Sequence, residues 1–285
     1  GFDVIHNNSL HRYPPRLART HRLPMVTSLH IPPFDALRRA VHESAAPWSR
    51  FTVTSHRQVE VWWPDGAPRE AGVVYNGIAP AQWPYAPGGD GSALWAGRIT
   101  RTKGTHVAAE AARLAGVPLT LYGTIEDPGY FDDMVRPLLG PIVRYGGHLQ
   151  GPALARAYAQ ASALLFTPCW EEPFGLAAIE AMATGLPVAA IARGAAREVI
   201  GPAGAYAAPD DIPGLARALE RAMTIDPAVP YRRVMDRYTV TRMIERYQDS
   251  YAKAVAGVAR RDVPGVAFPP IELALSPAPD TLLHA

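Results

Sequence analysis

The stretch Trp170-Glu171-Glu172-Pro173-Phe174-Gly175-Leu176-Ala177-Ala178-Ile179-Glu180-Ala181-Met182-Ala183-Thr184-Gly185 decides the fold. It follows the apolar run Ala163-Leu164-Leu165-Phe166, which reads as a buried strand. Carboxylates and a proline open it, the chemistry of a helix start. A helix is expected from Leu176 to Met182, stopping near Gly185, and a second buried strand from Pro187 to Ile191. Strand, loop, helix and strand in this order put charges and glycines at the mouth of a loop. In an open parallel sheet that mouth is where ligands bind.

The same grammar extends in both directions. Upstream, Ala93 to Ala96 reads as a strand leading into Gly97-Arg98-Ile99-Thr100-Arg101-Thr102-Lys103-Gly104, then a helix from Thr105 to Leu114. Strands follow at Pro118 to Tyr122 and Ile142 to Tyr145, the latter closed by Gly146-Gly147-His148-Leu149, and a helix at Ala153 to Gln160. Downstream come a short strand from Gly204 to Ala208 and a helix from Ile212 to Met223. A long helix then runs from Val240 to Val255, with Met243, Tyr247, Tyr251 and Val255 one turn apart, and the tail from Val263 is rich in proline.

The Pro/Gly-rich run Trp83 to Ser92 reads as a linker. Before it lies a second βα series, with strands at Asp3 to His6, Met25 to His30, Phe51 to Ser55 and Gly72 to Tyr75. Helices are expected at Leu10 to His21, interrupted early by Pro14 and Pro15, at Phe34 to Glu43, and at His56 to Trp62. Alternating strands and helices mean parallel sheets with helices on both faces. The expected division is 1–82, a linker at 83–92, 93–239, and a C-terminal helix and tail at 240–285. The first block lacks the usual first strand and glycine-rich turn of a nucleotide fold.

Composition narrows the function classes. The chain has 285 residues, 48% hydrophobic and 19% charged, which suits a globular protein with a sizeable core. A net charge of +2 without a Lys/Arg block argues against nucleic acid. No apolar run approaches the length of a membrane span. The single cysteine, Cys169, excludes an internal disulfide framework and makes the cytoplasm the default expectation. Gly1 to Ile5 does not read as a signal peptide, and without a methionine the chain is expected to begin inside a longer protein.

Glu172 and Glu180 are the first candidates for chemistry. Eight residues at a helical rise span roughly 12 Å, whereas glycoside-hydrolysing carboxylate pairs stand roughly 5 to 9.5 Å apart. The spacing favours two contacts to opposite ends of one long ligand, such as a nucleotide sugar, whose hydroxyls a carboxylate accepts. Free helix amides near Gly175, Leu176 and Ala177 would face its diphosphate. The plainer alternative is that Glu172 complements the helix dipole and Glu180 sits on a solvated face. Arg98 and Lys103, beside a helix start, could neutralise two phosphates or form an ordinary basic loop. His6 and His30 both end strands of the first block. His148 follows two glycines that would let its backbone approach a base, though a plain turn fits equally. No HExxH, CxxC or DxD pattern occurs, so no metal or other cofactor is expected.

Together, Gly97 to Gly104, Tyr145-Gly146-Gly147, and Glu172-Pro173-Phe174-Gly175-Leu176 through Glu180 to Val188 resemble the nucleotide-binding domain of family 4 retaining glycosyltransferases. Glu172 and Glu180 match their E-x7-E signature. The resemblance implies a GT-B fold, two Rossmann-like domains with parallel sheets facing a cleft, here with the N-terminal one incomplete. It implies transfer of a sugar from a nucleoside diphosphate sugar, a UDP-sugar first, to an unidentified acceptor with retention of configuration. Arg98 and Lys103 would bind the diphosphate, Glu172 the donor-sugar hydroxyls and Glu180 the ribose. Phe174, Gly175 and Leu176 would contact phosphate or sugar, Gly147 and His148 would complete the donor site, and His30 would stand near the sugar, acting with Glu172 in catalysis. The leaving diphosphate would help deprotonate the acceptor, without a metal. Asn8 departs from the family, many of whose members have a histidine there. The incomplete first domain leaves a second reading open: a nucleotide-binding half that self-associates or needs a partner chain at its sheet edge.

Overall fold

In the computed structural model, which describes residues 1–259, the strands form two wholly parallel sheets. The first has β1 (Ile5–Asn7), β2 (Met25–Leu29), β3 (Ser49–Val53) and β4 (Ala71–Val73), in that spatial order. The second comprises β5 (Ala93–Ala96), β6 (Leu119–Tyr122), β7 (Val143–Tyr145), β8 (Ala163–Phe166), β9 (Val188–Ile191) and β10 (Gly204–Ala207). Its spatial order is β10-β9-β8-β5-β6-β7. The order reverses between β5 and β8, which pair through Ala93 with Ala163 and Leu94 with Leu164. That reversal is the switch point of a doubly wound sheet, where the carboxyl ends of the strands diverge and leave a crevice.

The apolar runs explain why this sheet is covered on both sides. Along β8 and β9 every residue is buried. Leu164, Phe166, Val188 and Ala190 belong to one core cluster, and Ala163, Leu165, Ala189 and Ile191 to another. Successive strand residues point to opposite faces, so a continuous apolar run supplies two cores at once.

The first sheet is built differently. Leu29, Phe51 and Val53 pack with Leu37, Val41, Trp62 and Trp63 on one face. Ser28, of opposite parity to Leu29, faces the helix Val240–Ala259, which crosses back over this sheet. Ser28 Oγ lies 2.9 Å from the Tyr247 hydroxyl and His6 Nδ1 lies 2.8 Å from that of Tyr251. Ala254 is fully buried, whereas Val255 is exposed. A strict four-residue spacing drifts about 40° per step around a helix, so the contact stripe has moved to Ala254.

Three local expectations change. Pro14 and Pro15 do not interrupt a helix but begin one, Tyr13–His21, in the first turn where a missing N–H costs nothing. The fourth strand ends at Val73, although the Val74 N–H still donates to Val53 O at 2.9 Å. The helix after β8 starts at Leu176 as expected, with Gly175 as its N-cap; what changes is the spacing to Glu172, which precedes it. Only the part from Leu176 to Glu180 follows the helical rise, and the 12 Å spacing does not carry over. The proline-rich tail from Val263 lies outside the described residues. Among the described residues no helix is long and apolar enough to cross a membrane.

Candidate functional site

The carboxyl ends of β5 and β8 open into a cleft of about 660 Å³, closed on its far side by His30, Asn76 and Gly77 of the first unit. Two loops of the second unit meet there. After β5, residues Arg101–Lys103 make one 3-10 turn, and Gly104, with φ 64°, starts the helix Thr105–Ala115. A Cβ on Gly104 would stand 2.1 Å from the Thr167 carbonyl oxygen. Only glycine allows both this φ and this approach, which draws the loop against the end of β8. Thr167 Oγ1 accepts from Trp95 Nε1 at 3.0 Å and donates to Gly104 O at 2.9 Å, and Cys169 N donates to Thr102 O at 2.8 Å.

This stitching brings Lys103 to Glu172. Lys103 Nζ donates to Glu172 Oε2 at 2.6 Å, and Trp170 Nε1 donates to the same oxygen at 2.8 Å. The Glu172 side chain is only 8% exposed, a burial a carboxylate tolerates when paired and hydrogen-bonded. Its backbone is held as well: Ala195 N donates to Glu172 O at 2.9 Å. Gly194, with φ 59°, passes so close that a Cβ would sit 2.4 Å from both the Glu172 nitrogen and oxygen. The lysine ammonium also lies 5.3 Å from the centre of the Trp170 ring. Arg98 lines the same cleft but pairs outward with Glu126 at 3.0 Å and is largely exposed.

Gly175 offers the helix Leu176–Ala183 no side-chain cap. The N–H groups of Leu176 and Ala177 have no partner within the helix, and both residues line the cleft. Phe174 lines it too, but its ring is buried against Tyr75 and Tyr238, so packing is its main contact. Glu180 lies further along the helix, half-buried and not among the lining residues. Burial pushes its carboxyl up to about 7. His30 closes the cleft from the end of β2, with Nε2 3.3 Å from Asn8 Oδ1. It is exposed to the cleft yet enclosed enough for desolvation to lower its pKa. Gly147 and His148 follow β7, separated from β5 by β6, and neither lines the cleft. Gly147 O accepts from Gly123 N at 2.9 Å, and His148 is exposed. Among the described residues no three His, Cys, Asp or Glu side chains gather as a metal site.

Sequence reasoning missed several residues that shape the cleft. Thr167 and Trp170 carry no charge pattern, and their role is visible only in their hydrogen bonds. Thr54 and Ser55, ending an apolar run before a short helix, had the signal of an N-cap but no hint of their second partner, the Pro173 carbonyl of the other unit.

Two parallel sheets facing one cleft, the second wound about a switch point with a cation–carboxylate pair at its mouth, define the fold as that of the GT-B glycosyltransferases. Residues 91–224 match the family described as "Glycosyl transferases group 1". The chain is 32% identical over 262 residues to the glycogen synthases of two Mycobacterium tuberculosis strains, CDC 1551 / Oshkosh and ATCC 25618 / H37Rv. The match takes in 81% of this chain and 62% of those enzymes, so the chain spans less than two thirds of the length of the curated relatives it matches. Among solved structures, Anabaena HepE in complex with UDP superposes with a TM-score of 0.75 at 19% identity, over 88% of this chain and 79% of that one. Sucrose-phosphate synthase from Thermosynechococcus elongatus gives 0.72 at 21% identity, over 90% and 74%.

Proposed function

We propose that the chain is a retaining glycosyltransferase that moves a hexosyl group from a nucleoside diphosphate sugar, a UDP-sugar first, to an acceptor. One observation carries this reading. Arg98 and Lys103 on one side, and Glu172 with the free amides of Leu176 and Ala177 on the other, face a single cleft at the switch point. Cations and helix amides suit a diphosphate, and a buried carboxylate suits sugar hydroxyls. The glycogen synthase relatives and the UDP-bound neighbour support the same class of ligand.

The roles in this reading are as follows. Lys103 turns from Glu172 toward phosphate when the donor enters, and Arg98 swings from Glu126 to join it. Glu172, still held by Trp170, accepts from the donor sugar. Glu180 takes the ribose end and His30 stands across the cleft near the sugar. Gly147 and His148 form the base side of the donor site. The leaving diphosphate oxygen takes the acceptor proton on the face it leaves, which retains configuration and needs no protein nucleophile.

Titration calorimetry with UDP and GDP tests the donor half. One nucleotide binds the wild-type chain, and Arg98→Ala and Lys103→Ala each weaken it at least tenfold. Binding of neither nucleotide, or full affinity in both variants, sinks the assignment.

A second reading, a nucleotide-binding unit that turns over only with a partner chain, is favoured by the open edge at β1. Ile5 on that strand and Leu10, Tyr13 and Leu17 beside it are exposed. Sedimentation of the chain at increasing concentration separates the readings: a dimer with transfer activity supports the second, an active monomer the first.

A further inference from the structure

The loop that carries Glu172 is held from both units. From the second, Ala195 and Gly194 fix the Glu172 backbone. From the first, Thr54 Oγ1 and Ser55 Oγ both donate to Pro173 O, at 3.1 and 2.8 Å, and all three residues are buried. A carbonyl oxygen has two lone pairs, and here both are taken by hydroxyls from across the cleft. Proline has a fixed φ, so a restraint on its carbonyl passes to the residue before it with little slack.

The turn bearing these hydroxyls is itself clasped. Glu198, in the helix Ala196–Ile200, reaches across to accept from His56 N at 2.7 Å with one oxygen and from Arg57 N at 3.0 Å with the other. The Tyr75 hydroxyl donates to its Oε1 at 2.9 Å. Arg57 Nε donates to Glu171 Oε2 at 3.0 Å, one residue before Glu172. Ser55 Oγ meanwhile accepts from Gln58 N at 3.2 Å, so its proton is directed at Pro173.

We infer that Thr54 and Ser55, with Glu198 behind them, are positioning residues for the sugar end of the cleft: they form a latch between the units that sets the Glu172 loop. The inference rests on the donor reading for what Glu172 holds, but the latch itself does not. Arg98 and Lys103 belong to the second unit alone, so a diphosphate can bind whether or not the latch is made. A sugar that needs Glu172 in place cannot bind equally well without it.

The test is the variant Thr54→Val with Ser55→Ala, which keeps shape and removes both donors, together with Glu198→Gln and the hydroxyl-retaining Ser55→Thr. Hydrogen exchange and calorimetry are run on each, with UDP against UDP-glucose and GDP against GDP-mannose. In the double variant, amides of residues 171–178 exchange at least tenfold faster, while those of β5 and β6 keep wild-type rates and so report an intact second unit. The sugar nucleotide loses about tenfold more affinity than its free nucleotide. Glu198→Gln shows the same split in smaller measure, and Ser55→Thr keeps both readouts near their wild-type values. Unchanged exchange at 171–178 overturns the latch. Equal losses for nucleotide and sugar nucleotide overturn its link to the sugar. A wild-type chain that binds no nucleotide in either form overturns the donor reading and that link together, and the exchange rates alone then decide for or against the latch.

Discussion

The two units solve the problem of covering a parallel sheet in different ways. The second sheet is sandwiched between two apolar clusters supplied mostly by its own strands and helices, with Tyr75 and Ile78 of the first unit joining one of them. The first has one small apolar cluster. Its other face is covered by a helix from the far end of the chain through a polar set of His6, Ser28, Thr52, Tyr247 and Tyr251. Its β3-to-helix turn is clasped by Glu198 of the second unit. Apolar burial is non-directional and self-sufficient, whereas hydrogen bonds need partners in place. The second unit therefore carries most of its own cover, and the first leans more on elements outside its own run of sequence.

The largest expected break in this comparison is Trp62→Ala. Trp62 is fully buried in the first cluster, and its Nε1 donates to Ile31 O at 3.1 Å. Its removal costs about 3–5 kcal/mol, a large share of what so small a cluster supplies. Hydrogen exchange during urea unfolding is expected to show β2 and β3 opening well before β5 to β9. Simultaneous opening of both sheets would mean that the latch and the crossing helix make one cooperative unit, and the contrast drawn above would fall.

A smaller effect, on ligand rather than fold, sharpens the comparison at the cleft. Glu180 sits on the helix of the second unit, where burial raises its carboxyl to about 7. In the proposed role of ribose acceptor it would bind best ionised, with both oxygens free to accept. Going from pH 8 to pH 6 takes it from mostly ionised to mostly protonated, so nucleotide affinity is expected to fall about tenfold. Glu180→Gln should bind weakly at both values. A wild-type affinity that stays level over this range would remove Glu180 from the donor site.

How much of this was legible depended on the length scale of the interaction. The second sheet was readable because its signals are local: apolar runs at β8 and β9, and glycines at strand ends. Glu172 and Lys103 stood out by charge at the mouths of two loops, and the structure joins them at 2.6 Å. Their direct pairing was not foreseen, because it depends on how closely Gly104 lets the loop approach β8. Arg98 stands out by charge in the same way and lines the cleft, but its outward turn to Glu126 carries no sequence signal. The helical spacing from Glu172 to Glu180 misled, since the Pro173-Phe174-Gly175 segment is a loop that carries no helical rise. The latch was invisible for a plainer reason: Thr54 and Pro173 are 119 residues apart, and neither type signals a partner.

The smallest expected effect concerns the polar seam under the crossing helix, and its sign follows from His6. Both ring nitrogens are engaged, Nε2 with Ser28 Oγ and Nδ1 with the Tyr251 hydroxyl, each at 2.8 Å. The Tyr247 ring packs 4.8 Å away. A neutral imidazole donates from one nitrogen and accepts at the other, and the two hydroxyls can satisfy both roles. A protonated ring has no acceptor left, so one hydroxyl must turn. Burial, with His30 nearby, holds the His6 pKa below its usual 6.5. As pH falls, the unfolded chain takes up this proton first. The contribution is therefore fully present above about 6.5 and is lost as pH drops below it toward the lower folded value. Urea midpoints at pH 8 and pH 5.5 should show the first unit weakening, and His6→Gln, which cannot titrate, should remove part of that slope. His106, in the second unit beside Tyr130, is lowered in the same direction by burial, so His106→Gln is the matched control. If His106→Gln alone flattened the slope, the acid-sensitive seam would lie in the apolar unit, and the dependence of the first unit on its crossing helix would need a source other than His6.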